Sequence, residues 1–257
     1  MGRGEAGVPR GVLVTFEGGD GAGKSTHIRF LARALADAGR EVVCLREPGG
    51  TAVGEALRAI VLDPANEGLA DEAELLIYEA ARAQLSAKVI RPALERGAVV
   101  LCDRFSDSTL AYQVAGRGLP ADFVEAANAF ATGGVAPDRT LVLTAGDARA
   151  SLGRATRGTA GDRLERAGAA FHARVNDAFL DLARRDPARV RVVDSSGARS
   201  ATAAQVFGEL ADLFPWMADA ATCDEAYFSV LDDKRALQAW LDRPAGSGAC
   251  AEGSARA

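Results

Sequence analysis

The chain has 257 residues, which is enough to bury one large hydrophobic core. Its formal net charge of −5 argues against the broad basic surface of a nucleic-acid-binding protein, so no nucleic-acid partner is expected. Four cysteines without a Cys-x-x-Cys pair and only two histidines disfavour a disulfide framework and a zinc site, and they favour a cytoplasmic protein. No apolar stretch approaches the ~20 residues of a membrane span, so no membrane partner is expected either.

The predicted elements alternate between short strands and longer helices. Residues 1–10 are polar and glycine-rich and are predicted to form a flexible tail. Apolar strands that alternate with helices are typical of a parallel sheet covered on both faces. We therefore expect an α/β, three-layer fold with five parallel strands in one domain, residues 11–217. The predicted strands are 12–17, 41–45, 98–102, 139–143 and 189–193, and the clearest predicted helices are 25–38, 52–62 and 71–96.

The composition of the chain changes after Trp216, and residues 218–257 are interpreted as a C-terminal extension. Segment 224–242 is predicted to be one amphipathic helix. From Pro244 onward the residues are small and polar, so this end is predicted to be disordered. The apolar positions of the predicted helix are Phe228, Leu231, Leu237, Trp240 and Leu241.

The strongest motif matches the phosphate-binding pattern G-x-x-x-x-G-K-[ST] between the first predicted strand and the first helix. Its glycines allow backbone N–H groups to surround an anion, and the helix N-terminus adds partial positive charge. Lys24 is predicted to reach the β- and γ-phosphates of ATP, and the Ser25 hydroxyl to bind Mg²⁺. The motif alone predicts NTP binding and does not separate a kinase from a GTPase or an ATPase. The predicted ATP-binding residues are Gly18, Gly19, Asp20, Gly21, Ala22, Gly23, Lys24, Ser25 and Thr26.

Four further motifs follow in a fixed order: REPGGT (46–51), LLIYEAARAQL (75–85), DRFSDSTLAYQ (103–113) and RATRGTAGDRLE (154–165). In this order they make residues 11–217 similar to bacterial thymidylate kinases. The resemblance implies a P-loop fold with a five-stranded parallel sheet and an arginine-rich lid at about 153–167. It also implies transfer of the γ-phosphoryl of ATP to dTMP, with Mg²⁺ as the cofactor, by a homodimer.

The predicted nucleobase site combines an aromatic ring with hydrogen-bonding groups. Tyr78 and Arg82 lie four residues apart and share one helical face, where a ring can stack on a pyrimidine and a guanidinium can donate to a base carbonyl. Spacing alone favours a core aromatic beside a surface arginine, and only the resemblance assigns both residues to thymine. Thr109 and Gln113 lie one turn apart, and Gln offers the donor and the acceptor that a pyrimidine edge requires.

The resemblance also places charged residues around the acceptor. It implies that Arg104 and Arg58 bind the acceptor phosphate, that Asp103 lies near the metal ion, and that Asp20 contacts the deoxyribose 3′-hydroxyl. Pro48 shapes the acceptor loop by the same analogy. Taken by itself, Asp103-Arg104 also fits a surface ion pair at the end of a strand, and Arg58 also fits a solvated helix charge.

Residues 20–22 of the phosphate loop contain no cation, and in this the chain resembles the bacterial type, which implies that the lid supplies the arginine that neutralises the transition state. Arg154, Arg157 and Arg163 are the predicted catalytic lid residues, added to Lys24, Asp103 and Arg104. A mobile loop with solvated charges is the alternative.

Two departures from the family pattern concern His27 and Phe105. His27 replaces a common Gln and is interpreted as an exposed helix residue. Phe105 replaces a common Tyr, which weakens any role for a hydroxyl near the sugar. A kinase for another nucleoside monophosphate and a regulatory NTP-binding switch remain the alternative functions.

Overall fold

A parallel β-sheet forms the middle of the molecule, in a computed structural model that describes residues 10–144, 162–219, 223–244 and 250–252. Its strands are β1 (Val12–Gly18), β2 (Val42–Arg46), β3 (Val99–Asp103), β4 (Arg139–Thr144), β5 (Val190–Asp194) and β6 (Cys250–Glu252). The spatial order is β5-β4-β1-β3-β2-β6, and every neighbouring pair is parallel. The five predicted strands are thereby confirmed to within one residue at either end. The short β6 lies within the tail that the composition predicted to be disordered, so that prediction is wrong for these three residues.

Helices pack on both faces of the sheet, as predicted. They are α1 (Lys24–Asp37), α2 (Ala52–Leu62), α3 (Asp71–Leu85), α4 (Arg91–Glu95), α5 (Ser106–Thr109), α6 (Ala121–Thr132), α7 (Ala169–Arg185), α8 (Arg199–Leu210), α9 (Glu225–Ser229) and α10 (Lys234–Leu241). A π-helical turn at Ser86–Ile90 joins α3 to α4, and a second at Leu110–Gly116 follows α5. None of the helices in the described ranges is both long and apolar enough to span a lipid bilayer.

Alternation along β1 assigns its side chains to the two faces of the sheet. Val14 and Phe16 join the core formed with α1 and α8, whereas Leu13 joins a second core formed with α3, α4 and the neighbouring strands. Burial on both faces explains why the strands are almost uniformly apolar. The carboxyl end of β1 therefore delivers the phosphate loop from a rigid position at the centre of the sheet.

The C-terminal extension forms two helices, α9 and α10, rather than the single helix predicted over 224–242. The break falls at Asp233, whose carboxylate accepts hydrogen bonds at 2.8 Å from the backbone N–H groups of Arg235 and Ala236 and caps α10. Trp240 is buried and stacks on Phe30 of α1 at a centroid distance of 4.5 Å. The extension is thus part of the main hydrophobic core, with Phe228, Leu231, Leu237 and Trp240 as its buried residues.

Candidate active site

The phosphate loop connects β1 to α1 and needs glycine at particular positions. Gly18 has a φ of +115°, and a Cβ atom there would lie 2.2 Å from the carbonyl oxygen of Leu143 on the adjacent strand. Gly23 has a φ of +95° immediately before α1 begins at Lys24. These conformations direct the chain into the helix N-terminus, where free N–H groups and the helix dipole favour an anion.

Lys24 lies at the base of this loop with its ammonium group held close. Its Nζ atom donates to the carbonyl oxygens of Gly18 at 3.2 Å and Gly19 at 3.1 Å, and it lies 4.0 Å from Oδ1 of Asp103. Burial lowers the pKa of Lys24, the positive charge of Arg104 lowers it further, and Asp103 opposes both effects. The cation is positioned for phosphate oxygens that enter above the loop.

Ser25 and Asp103 bring two hard oxygen donors together beside the loop. The Ser25 hydroxyl donates to Oδ2 of Asp103 at 3.1 Å. Hydroxyl, carboxylate and phosphate oxygens are the ligands that Mg²⁺ prefers, and both side chains line the same pocket as the loop. The residues that the sequence suggested for Mg²⁺ therefore have suitable chemistry and lie in contact.

A pocket of about 370 Å³ extends from the phosphate loop along the carboxyl ends of β1, β2 and β3. Open parallel sheets bind ligands at this edge. The pocket brings together every residue that the sequence suggested for the acceptor, and it also takes in much of the loop. Its lining includes Asp20, Gly21, Gly23, Lys24, Ser25, Thr26, Pro48, Arg58, Tyr78, Arg82, Asp103, Arg104, Thr109 and Gln113.

Arg104 adopts an unusual backbone conformation, with a φ of +70°, directly after β3. Its backbone N–H donates to the carbonyl oxygen of Phe16 at 2.9 Å, and its guanidinium donates to Oδ1 of Asp20 at 2.7 Å. Burial alone raises the pKa of Asp20, but the charges of Arg104 and Lys24 outweigh it and hold this pKa below its usual value. Because Asp103 and Arg104 both line the pocket, they do not form the surface ion pair that was the alternative for these two residues.

Glu17 supports the same turn and was missed by sequence reasoning. Its two carboxylate oxygens accept from the backbone N–H of Phe105 at 2.8 Å and from the Ser108 hydroxyl at 2.5 Å. Burial raises the pKa of Glu17 to about 7, against the opposing charge of Arg104. The sequence does contain a signal for Glu17, because it is an acidic residue at the end of a mostly apolar predicted strand.

Arg82 lies in the wall of the pocket and only 2% of it is exposed, so it is not the surface arginine that helical spacing favoured. Its guanidinium is surrounded by hydrogen-bond acceptors within the protein. Glu79 precedes it by three residues on α3, a spacing that could have indicated this pair from the sequence. The acceptors, at 2.6 to 3.1 Å, are Glu47, Glu79, Thr109, Asn128 and the carbonyl oxygen of Phe105.

The remaining pocket residues differ in how firmly they are held. Tyr78 is half-buried, and burial raises the pKa of its hydroxyl above the usual value. Arg58 is also half-buried and donates to the carbonyl oxygen of Pro48 at 2.9 Å. Tyr112, which the sequence did not single out, lines the pocket with its ring 5.0 Å from the guanidinium of Arg104.

The lid lies only partly within the described residues. Arg154 and Arg157 fall outside them, so their predicted roles stay predictions. Arg163 is buried, donates from Nε to the carbonyl oxygen of Val61 at 3.0 Å, and also contacts Glu74 of α3. In this arrangement its side chain faces α2 and α3 rather than the phosphate loop.

His27 was interpreted from the sequence as exposed, and this is wrong, since only 3% of it is accessible. Its ring lies next to Gly23, within 4 Å of where a Cβ atom would stand. Burial, followed by the charge of Arg199, lowers the pKa of His27 to about 4. The imidazole beside the phosphate loop is therefore neutral near pH 7.

The strand–loop–helix anchor, the lysine and the neighbouring acceptor pocket define a P-loop phosphotransferase acting on a small phosphorylated acceptor. The family model described as thymidylate kinase matches residues 16–206. The thymidylate kinase of Symbiobacterium thermophilum is 48% identical over 185 residues, which cover 72% of this chain and 86% of that protein. The thymidylate kinase of Geobacter sulfurreducens is 45% identical over 210 residues, which cover 80% of this chain and 99% of that protein. The chain belongs to the thymidylate kinase family.

A solved structure gives the same result for the fold. The crystal structure of thymidylate kinase from Ehrlichia chaffeensis superposes with a TM-score of 0.64 at 32% sequence identity. The match covers 79% of this chain and 99% of that chain. The predicted three-layer fold and the predicted family are both confirmed.

Proposed function

We propose that this thymidylate kinase transfers the γ-phosphoryl group of ATP to the phosphate of dTMP, forming ADP and dTDP. The observation that carries the proposal is the continuity of the pocket, in which the phosphate loop lies at one end and Tyr78, Arg82 and Gln113 at the other. One pocket with both groups of residues could hold the phosphates of a donor next to a pyrimidine acceptor. Sequestering both from water favours transfer over hydrolysis.

The donor end positions and neutralises the ATP phosphates. The loop N–H groups and Lys24 bind the β- and γ-phosphates. Ser25 and Asp103 would hold Mg²⁺, which when bound supplies positive charge to the phosphate oxygens and orients them. Much of the rate enhancement is then electrostatic, because the charges are in place before the reaction begins.

The acceptor end binds an anion that needs no strong general base, because a monophosphate is already ionised at neutral pH. Arg104 and Arg58 bind its phosphate, and Pro48 shapes the loop beside them. Asp20 accepts a hydrogen bond from the 3′-hydroxyl of the sugar. Tyr78 stacks on the thymine ring, while Arg82, Thr109 and Gln113 line the base edge.

The lid supplies the arginine that stabilises the transferring phosphoryl group, with Arg154 and Arg157 as its proposed sources. Arg163 would have to leave Val61 and Glu74 to serve in this role.

We further propose a cytoplasmic homodimer. Helix α2 packs on α3, and α3 packs on α6. These three helices expose large apolar side chains, and Phe130 of α6 is 89% exposed. Such a surface is suited to a second copy of the chain. Light scattering should report twice the chain mass, and a monomer mass would contradict this. The exposed residues are Val53 and Ile60 of α2, Leu76 of α3, and Phe123 and Phe130 of α6.

An acceptor panel tests the proposed reaction. The purified protein with ATP and Mg²⁺ should phosphorylate dTMP far better than AMP or GMP, with dUMP and CMP in the same panel. Equal turnover of a purine monophosphate would refute dTMP as the substrate, but it would not affect the assignment of the phosphate loop. Hydrolysis of NTP without transfer to any monophosphate would instead indicate a regulatory switch.

A further inference from the structure

Glu74 is a carboxylate inside the protein that the reaction itself does not use. It lies on α3 and is fully buried. Its Oε1 atom accepts from Nε2 of Gln113 at 2.7 Å and from Nε of Arg117 at 3.2 Å. Its Oε2 atom accepts from Nη2 of Arg117 at 2.8 Å and contacts Nη2 of Arg163. Both oxygens are therefore occupied by donors.

The charge of Glu74 determines which way the Gln113 amide faces. Burial raises the pKa of Glu74, but the hydrogen bonds from Arg117, Gln113 and Arg163 outweigh it and hold this pKa below its usual value. An ionised carboxylate can only accept, so Gln113 has to present its amide nitrogen to Glu74. The side-chain oxygen of Gln113 then points away from Glu74.

The proposed nucleobase site includes Gln113, whose side-chain oxygen has no bond to Glu74. Gln113 is buried in the wall of the pocket. Within ranges 10–144 and 162–219, no described hydrogen bond ends on this oxygen. An acceptor in the pocket wall that has no described partner favours a ligand that brings a donor.

We propose that Glu74 is a positioning residue that fixes Gln113 as a hydrogen-bond acceptor and thereby selects a pyrimidine with an N–H at ring position 3. Thymine and uracil carry this N–H, whereas cytosine has a lone pair there. The inference rests on the proposed function, because it assigns the base of the acceptor to this wall. An unrestrained glutamine could rotate its amide and accept either kind of ring.

Substitution Glu74→Gln tests the proposal because it should turn the Gln113 amide over. Two guanidinium groups, those of Arg117 and Arg163, contact Oε2, whereas Oε1 has only the longer 3.2 Å bond from Nε of Arg117 besides Gln113. The remaining oxygen of residue 74 should therefore take the Oε2 position, and the new amide nitrogen should face Gln113. Gln113 would then present its own nitrogen to the pocket. The ratio of the dissociation constants of dCMP and dTMP, measured by calorimetry, should fall about tenfold to hundredfold.

Asp71→Asn is the matched control. Asp71 lies on the same helix and pairs with the same Arg117 at 3.3 Å, but it is half-exposed and does not contact Gln113. The ratio should not change in this variant. A comparable fall in the ratio for Asp71→Asn would overturn the proposal, since it would trace the effect to Arg117 or to general loosening.

Substitution Gln113→Leu separates positioning from a structural role. If Glu74 acts through Gln113, the double variant Glu74→Gln/Gln113→Leu should have the same ratio of dissociation constants as Gln113→Leu alone. A further fall in the double variant contradicts the proposal. If Glu74→Gln does not fold, Glu74→Asp keeps the charge while withdrawing from Gln113, and it should lower the ratio in the same direction.

The failure of the inference is distinguishable from that of the proposed function. A wild-type protein that does not phosphorylate dTMP refutes the function. A wild-type protein that phosphorylates dTMP, with an unchanged ratio in both the Glu74 variant and Gln113→Leu, refutes only the role of these two residues.

Discussion

The two ends of the pocket use arginine in opposite ways. At the phosphate end, Arg58 and Arg104 are partly exposed, and their bonds to a carbonyl and to Asp20 are ones that phosphate oxygens can replace. At the base end, Arg82 is buried and surrounded by protein acceptors, including Glu47 and Glu79. Buried partners thus hold the Arg82 guanidinium within the pocket wall, whereas the guanidinium groups of Arg58 and Arg104 can turn to a phosphate, although the residue type is the same.

Arg82→Ala should show the largest effect on the folded state. The substitution leaves Glu47 and Glu79 buried without their cation, which costs about 3–5 kcal/mol in the free energy of unfolding. Urea unfolding measures this, with Arg104→Ala as the comparison at the phosphate end, where the loss should be much smaller. In whatever fraction folds, the KM for dTMP should rise and the KM for ATP should stay nearly constant. Equal losses of stability in the two variants would contradict the difference proposed between the two ends of the pocket.

Lys24→Ala should lower kcat by about 10²–10³-fold while the melting temperature changes little. Its hydrogen bonds go to loop carbonyls, so removing the side chain leaves the core unaffected. Lys88→Ala, at an exposed position, is the matched control and should keep wild-type kcat. If the Lys24 variant retains more than about a tenth of the wild-type kcat, the role assigned to Lys24 is wrong.

The lid arginines should have the next largest effect on the reaction. Arg157→Ala or Arg154→Ala should lower kcat by at least about a hundredfold with little change in dTMP binding. Arg163→Ala should mainly lower stability if its contacts with Val61 and Glu74 persist during the reaction. Rapid-quench measurement of all three single variants separates these cases. Near-wild-type kcat in every variant would mean that the lid only covers the site.

A smaller effect is expected from Glu17, which lies beneath the turn between the two ends. Its folded pKa of about 7 exceeds the ordinary carboxyl value of 4.5. Between those values the folded protein keeps a proton that the unfolded chain has lost, so stability falls as pH rises, by up to about 1.4 kcal/mol per pH unit. Glu17→Gln should flatten this dependence in urea unfolding from pH 5 to 8.

Part of the pH dependence should survive in the Glu17→Gln variant. Burial also raises the pKa of Glu47 to about 7, against the charge of Arg82, so Glu47 contributes in the same direction. A slope identical to that of the wild-type protein would show that Glu17 is not protonated in the folded state near neutral pH.

The elements with a repeating local pattern could be predicted from the sequence. Five apolar strands, the phosphate loop and the ends of α2 follow from patterns a few residues long. Asp233 caps α10 through its own side chain, so the sequence contains a local signal for the break in the C-terminal segment. The prediction of a single helix over 224–242 relied on the apolar spacing and did not use this signal.

The buried charges could not be predicted in the same way. Apart from Glu79 beside Arg82, the partners that stabilise Glu17, Glu74 and Arg82 lie 23 to 91 positions away along the chain, as in the bond from Ser108 to Glu17. Polarity alone predicts exposure for such residues. The same assumption misplaced His27. Only the assembled fold shows which charges have partners.

The stacking of Trp240 on Phe30 has a practical consequence for spectroscopy. The chain contains two tryptophans, Trp216 and Trp240, and both pack in the core beside α1 and α8. Neither is among the residues that line the pocket. Intrinsic tryptophan fluorescence should therefore report the detachment of the C-terminal helices during unfolding and remain nearly silent when a nucleotide binds.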